Sequence, residues 1–170
     1  MINCVVVLSA IMIAGGSGTL EHPADPGRAP FPSIFVTDLI KNWVKDFLLQ
    51  SVSFAQCMFG CPAKKETTVV GRADQMEENL GRQCSHVRHP AQLCGVDETG
   101  KFRTRIAQAY PSGMCRALAE THFNFMMNRR PGQNSRLSDT TLKEVIAQLT
   151  ESRVQQGTKE LPTSFAKALG

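Results

Sequence analysis

Thr19-Leu20-Glu21-His22-Pro23 decides how this chain is read. Proline cannot continue a central β-ladder, so a short strand closing on Pro23 sets a carboxylate and an imidazole at a strand end. Before it, Gly15-Gly16-Ser17-Gly18 reads as a flexible turn. Further upstream, Cys4 to Ala14 is an apolar run of eleven residues. That is too short to cross a bilayer, so no transmembrane span is expected. Its length suits the apolar region of a secretory signal, but no Lys or Arg precedes it and a small-x-small cleavage site is only loosely present. The rival reading is a buried helix that packs on a sheet and stops at the glycines, and this is the expectation.

Downstream, residues 23–32 hold four prolines and a glycine and form an irregular loop. Ser33 is placed to cap a helix, with Asp38 near its positive end. Leu39, Ile40, Trp43, Val44, Phe47 and Leu48 recur at helical spacing and mark one apolar face. Val52 to Cys57 alternates like a strand, and Thr67-Thr68-Val69-Val70 is a β-branched run. With Gly60-Cys61-Pro62 between them they predict a hairpin whose tip carries Lys64 and Lys65. Residues 73–82 suit a short polar helix ending near Gly81. Pro111 opens another helix, with Met114, Leu118 and Met126 on its inner face beside Phe123 or Phe125. Ser138 or Asp139 caps a last amphipathic helix through Leu142, Val145, Ile146 and Leu149.

This order predicts an α/β fold, in which ligands gather at the carboxyl ends of strands, where Glu21 and His22 fall. The domain is expected over residues 1-128, followed by a linker at 129-137, the amphipathic helix at 138-154 and a flexible tail at 155-170. At 170 residues there is enough chain for one real core. A net charge of +4 permits an anionic partner without requiring one, and the basic pairs Lys64-Lys65 and Arg129-Arg130 read equally as solvated surface.

The strand-end motif and the segment downstream of it resemble the second half of a cytosine-C5 DNA methyltransferase domain. That family has a Glu-Asn-Val or Glu-Asn-Pro strand end, then an aromatic-Gly-x-Pro-Gln-x-Arg-x-Arg segment entering a hairpin strand that ends in Gly. Here the corresponding stretch is Cys57-Met58-Phe59-Gly60-Cys61-Pro62-Ala63-Lys64-Lys65-Glu66-Thr67-Thr68-Val69-Val70-Gly71, and Glu21 lies 39 positions before Gly60. The chain is also similar, over roughly residues 5–120, to methyltransferase-related segments of protist retroelement-linked reading frames. Those pair the strand-end motif with a Cys/His stretch and a Tyr-Pro near a Cys, here Cys84, His89, Tyr110-Pro111 and Cys115.

The resemblance implies a partial Rossmann-like sheet with a β-hairpin, followed by C-terminal helices. It also implies that Glu21 holds the ring of a flipped base while a cysteine attacks it, with His22, Lys64 and Lys65 around the substrate. It places residues 4–14 as the helix that feeds the strand. Three departures stand against activity. Only twenty residues precede Glu21, which leaves no room for a Gly-rich cofactor strand and a Pro-Cys loop. His22 replaces Asn, and Lys64-Lys65-Glu66 replaces the arginine fork. The expectation is therefore a methyltransferase-like domain without self-sufficient catalysis and without its own S-adenosylmethionine. A carboxylate on a proline-ended strand also fits a purely structural role.

Six cysteines are present: Cys4, Cys57, Cys61, Cys84, Cys94 and Cys115. Loss of Cys4 with a signal would leave an odd number, which favours an intracellular chain (cytoplasmic or nuclear) with thiols or a metal over a small secreted cysteine-rich one, the outcome if residues 1-18 were a signal peptide. Cys84, His86, His89 and Cys94 offer four zinc-type ligands within eleven residues. The expected structural zinc site is Cys57, Cys84 and His89, completed by His86 or Cys94. Buried thiols with surface histidines, or a nucleophilic cysteine, are the alternatives. His122 reads as core or surface, and Trp43 and the phenylalanines as core rather than base-stacking platforms. If zinc holds the loop, Lys64, Lys65, Arg82, Arg88, Arg103 and Arg105 could meet the phosphates of DNA or RNA. A separate chain completing the sheet is the other partner the resemblance suggests.

Overall fold

A computed structural model describes residues 2–28, 33–128 and 147. The expected linker, the helix at 138-154 and the tail lie outside the described residues except for Ala147. The described residues form a mixed α/β structure built on three strands: β1 (Gly18–Pro23), β2 (Gln50–Ala55) and β3 (Glu66–Arg72). Their order is β1-β3-β2, and β3 is antiparallel to both neighbours. β1 and β2 therefore run the same way with β3 inserted between them. Glu21 pairs with Val69, and Val52 pairs with the same residue from the other side.

The central position of β3 follows from its sequence. Thr67, Thr68, Val69, Val70 and Gly71 are all buried, as a strand covered on both faces requires. Successive side chains alternate between two cores. Val70 joins Val5, Met12, Ile40, Trp43, Phe47 and Leu49 on one face, where helices α1 (Ile2–Ile13) and α2 (Asp38–Asp46) pack. Val69 joins Val52, Phe54, Phe59, Met76, Leu80, Met114 and Ala117 on the other, beneath α3 (Met76–Leu80) and α4 (Ser112–Asn128). Phe54 is fully buried there with its ring edge-on to Phe59, 5.3 Å between centroids. Truncation of such a side chain to Ala costs about 3–5 kcal/mol.

The apolar N-terminal run is the helix α1, and it presents Val5, Ser9 and Met12 to the core. Trp43 of α2 donates its indole N–H to Ser9 Oγ at 3.0 Å, which satisfies both polar groups inside the contact. Arg72, at the end of β3, reaches back to two helix ends: one guanidinium nitrogen donates to Met12 O and the other to Phe47 O. Carbonyls at helix C-termini lack intrahelical partners, so a cation there supplies both hydrogen bonds and charge. No helix among the described residues is long and apolar enough to cross a membrane.

Two local expectations are corrected. Ser33 caps a 3₁₀ turn at Ile34–Val36 by accepting from Phe35 N–H, and α2 begins later, after Thr37. On α4 the inward stripe is Met114, Ala117 and Thr121 with Leu118 alongside, whereas Met126 and Phe123 are 54% and 62% exposed. At about 100° per residue, Met126 lies roughly 120° around the helix from Met114, so the two cannot share a face.

Candidate metal centre

The site forms where the β2–β3 connection meets the long segment between α3 and α4. β2 runs directly into a 3₁₀ turn, Gln56–Phe59, closed by Gly60 in the left-handed region at φ 101°. This tight turn buries Cys57 at the end of the strand. Beyond α3 the chain doubles back along β2: Ala55 N–H donates to Arg82 O at 3.0 Å, and Gln83 Nε2 donates to Ser53 O at 2.8 Å. The Arg82 guanidinium stacks over the Phe59 ring, 4.9 Å from its centroid. Cys84 is thereby delivered beside Cys57.

From Cys84 the loop wraps on itself. Cys84 Sγ lies 3.6 Å from His86 Nδ1 and 3.3 Å from His89 Nε2. The two imidazoles are tilted at 60° with centroids 5.3 Å apart. One ligand atom from each of Cys57, Cys84, His86 and His89 falls within 4.8 Å of all the others. A tetrahedral Cys₂His₂ zinc site with normal bond lengths needs ligand atoms about 3.3–3.8 Å apart, so the cluster is close to closing on an ion. The donor set fits zinc, and the four residues could hold such an ion. Burial pushes the Cys57 thiol up to about 11, and the adjacent Cys84 sulfur pushes in the same direction. A cation between the sulfurs would reverse that balance by favouring both thiolates.

Of the two residues weighed to complete the site, the structure brings in His86 and leaves the exposed Cys94 outside the cluster. Cys61 is buried in a separate small core with Ala63 and Ala107. The loop is tied to that core where Ala91 N–H donates to Pro62 O at 3.1 Å, where Ala63 and Ala91 form an isolated bridge, and where Ala91 and Leu93 pack against it. Past it, Asp97 Oδ1 accepts from Thr99 N, Thr99 Oγ1 and Lys101 N and shapes the turn toward Phe102.

The remaining predicted residues lie outside the cluster. Lys64 pairs with Glu66 at 3.1 Å, and that carboxylate, with the nearby thiols, holds its ammonium above the usual range. Lys65 reaches Ala107 O at 3.5 Å and lies over the Tyr110 ring, 5.8 Å from the centroid. Tyr110 donates its hydroxyl to Glu21 Oε2 at 2.7 Å, while Glu21 Oε1 is buried with no hydrogen-bond partner among the described residues. His22 packs edge-on to Phe35, and its Nδ1 lies 3.0 Å from the neighbouring Pro23 carbonyl oxygen. His122 is half-buried between α4 and β1, where Nδ1 lies 2.6 Å from Ser17 Oγ and Nε2 lies 3.3 Å from Thr19 Oγ1. It is not among the clustered ligands.

Two residues carry more than their sequence positions suggest. Phe102 is 74% exposed and so is not core, and Tyr110 anchors Glu21. A Tyr-Pro pair before a helix gives no sign of a partner 89 residues away. Comparisons of the chain with protein-family models, with curated proteins and with solved structures gave no match.

Proposed function

We propose that this protein is a zinc-stabilised, nucleic-acid-associated module whose metal holds the loop between α3 and α4 against the β2–β3 hairpin. The observation that carries the reading is the convergence of Cys57, Cys84, His86 and His89 from two separate segments. Residues 81–106 contain little regular structure beyond a short 3₁₀ turn starting at Arg103, so a structural ion supplies the cross-links that a core would otherwise provide. Charge supports the second half of the reading. Residues 81–106 carry five basic and two acidic side chains, which is +3 of the chain's +4. Lys64-Lys65-Glu66 adds the remaining unit, so the rest of the chain sums to neutral. A basic surface concentrated on one loop system is the electrostatic footprint of a phosphate-binding face. The ion is structural, because all four positions are taken by protein and none is left for a reacting water.

The test is metal analysis of the purified full chain, followed by binding of DNA and RNA across a salt series before and after chelation. One zinc per chain and salt-dependent binding lost on chelation are expected. A zinc-loaded chain that binds neither polymer at low salt overturns the reading.

A second reading, a methyltransferase-like domain without self-sufficient catalysis, is favoured by the Glu21 carboxylate. One of its oxygens is fixed by Tyr110 and the other is buried with no partner among the described residues, as an acceptor awaiting a donor is. Calorimetry with S-adenosylmethionine and with cytosine-containing oligonucleotides separates the two readings: loss of oligonucleotide binding in Glu21→Gln with the metal loop intact supports the second.

A further inference from the structure

We infer that the groove beside the metal centre is a single-strand site that takes one nucleotide unit, its base on Phe102 and its phosphate on Arg103 and Arg105. This deepens the nucleic-acid reading and rests on it. The groove has a volume of about 490 Å³ and lies between the segment that carries His89 and Gln92 and the turn that carries Asp97, Phe102, Arg103 and Arg105. That size is within the range of small-ligand sites.

Three features point to a nucleotide. First, Phe102 exposes 74% of its surface although its backbone is fixed, by a bridge to Val96 and by the bond from Arg103 N–H to Gly95 O at 3.1 Å. A rigidly mounted, solvent-facing aromatic ring is the stacking platform that single-strand binders use, because every base has a π-face. Second, the guanidinium groups are held but not used up. Arg103 spends Nε on Val96 O at 2.9 Å, and its two terminal nitrogens have no partner among the described residues. Among the described residues the Arg105 side chain makes only a long 3.9 Å contact with Asp97 Oδ2. Asp97 spends its other oxygen on the turn itself, so it aims Arg105 without a close pair. Third, the opposite wall belongs to the metal loop: His89 is a candidate ligand, and the Gln92 amide offers both a donor and an acceptor to a base edge. A base lying on Phe102 thus has phosphate-binding groups on the adjacent residues of the same turn.

The experiment uses the zinc-loaded full chain and fluorescence anisotropy with labelled oligo-dT, oligo-U and a DNA duplex. Unlabelled uridine monophosphate and inorganic phosphate serve as competitors. Phe102→Ala is expected to weaken single-strand binding about tenfold or more, and Phe102→Tyr to restore it. The double variant Arg103→Gln/Arg105→Gln is expected to weaken binding and to lower the salt slope by about two. Phe102 is exposed, and unchanged metal content and circular dichroism verify that its variants keep the fold. If the wild type binds single strands and both sets of variants bind equally well, the groove assignment is overturned and the nucleic-acid reading stands. If the wild type binds no nucleic acid, both fall. Competition by inorganic phosphate as effective as by the nucleotide removes the stacking claim. Competition by free nucleotide at the concentration where the oligomer saturates makes a mononucleotide the ligand and overturns the single-strand claim.

Discussion

The phenol of Tyr110 donates a 2.7 Å hydrogen bond to Glu21 Oε2, joining the residue that enters α4 to the middle of β1. The contact fixes one oxygen of the carboxylate and leaves the other buried with no partner among the described residues. It also draws in Lys65, whose ammonium lies over the same ring. The Glu21 carboxylate, inside the edge strand β1 rather than at its end, is therefore not a free group. It is an acceptor positioned by a residue far away in sequence.

That arrangement has a direct spectroscopic readout, because Tyr110 is the single tyrosine of the chain. Burial, reinforced by the hydrogen bond to Glu21 and its negative charge, raises the phenol from 10.0 to about 12. Tyrosinate absorbance should thus titrate near 12 in the folded protein and near 10 after denaturation. The folded state holds the proton more tightly, so this contribution to stability is complete below pH about 10 and falls away as pH climbs from about 10 toward 12. Glu21→Gln removes the charge but keeps the burial, and should bring the midpoint part of the way back. A midpoint of 10 in the folded wild type would show that neither the burial nor the hydrogen bond is present.

Metal binding makes a sharper prediction about which cysteines matter. Cys57→Ser, Cys84→Ser and His86→Ala should each lose stoichiometric zinc, whereas Cys94→Ser should keep it, since Cys94 is exposed and outside the cluster. Each of Cys57 and Cys84 must release a proton to ligate, so zinc uptake in weak buffer should acidify the solution, and affinity should fall as pH falls. Zinc at a thousandfold excess over its Kd should raise stability by about 4 kcal/mol. Equal loss of metal in Cys94→Ser and Cys84→Ser would exclude the proposed ligand set.

His122 predicts a second pH dependence in a different window. Ser17 donates its hydroxyl to Arg72 O at 2.5 Å, so the hydrogen-bond network assigns the imidazole proton to Nδ1, facing Ser17 Oγ, and leaves Nε2 to accept from Thr19. Burial lowers the pKa of this imidazole below 6.5. The unfolded chain then takes up a proton before the folded one does, so stability is complete above pH about 6.5 and declines as pH falls below it. His122→Gln should flatten that part of the stability profile relative to wild type, leaving the loss due to the metal ligands. Denaturant midpoints measured between pH 5 and 8 check this, and identical profiles would rule it out.

How far the sequence discloses this molecule depends on whether a signal is local. The run Thr67-Thr68-Val69-Val70 announces a strand but not that both its faces are covered, and the spacing from Leu39 to Phe47 announces the apolar side of α2, whereas Leu48, counted with it, lies past the helix and is 88% exposed. The same kind of spacing misplaces Met126, because a helix can be recognised from composition while its phase is read wrongly by one position. Nothing local says that β3 inserts between β1 and β2, since strand order is set by which faces the helices cover. The metal cluster is half legible: Cys84, His86 and His89 are neighbours in sequence, but the choice of His86 over Cys94 depends on the direction in which the loop turns after Cys84. Residue type alone assigns Phe102 to the core, and its exposure follows from a turn built by Asp97, which sequence periodicity does not report.

Two glycines separate steric from conformational constraints, and they give the last prediction. At Gly71, facing Thr19 across the β1–β3 pair, an added Cβ would strike the Gly18 carbonyl oxygen and come within 2.7 Å of Thr19 Cα. Both are backbone atoms, so relief requires β1 to move away from β3. Gly71→Ala should therefore cost about 1–3 kcal/mol, and by displacing β1 it should also lower the Tyr110 midpoint. At Gly60 an added Cβ meets nothing within 4 Å, but φ is 101°, outside what an L-residue adopts readily. Gly60→Ala should cost about 1–2 kcal/mol from backbone strain alone. Because Gly60 closes the turn that holds Cys57, its effect should appear in zinc affinity, with the tyrosine titration unchanged. If Gly60→Ala shifts the tyrosine midpoint and Gly71→Ala shifts zinc affinity, the two sites are coupled through the sheet, and the metal loop and the Glu21 carboxylate are not independent.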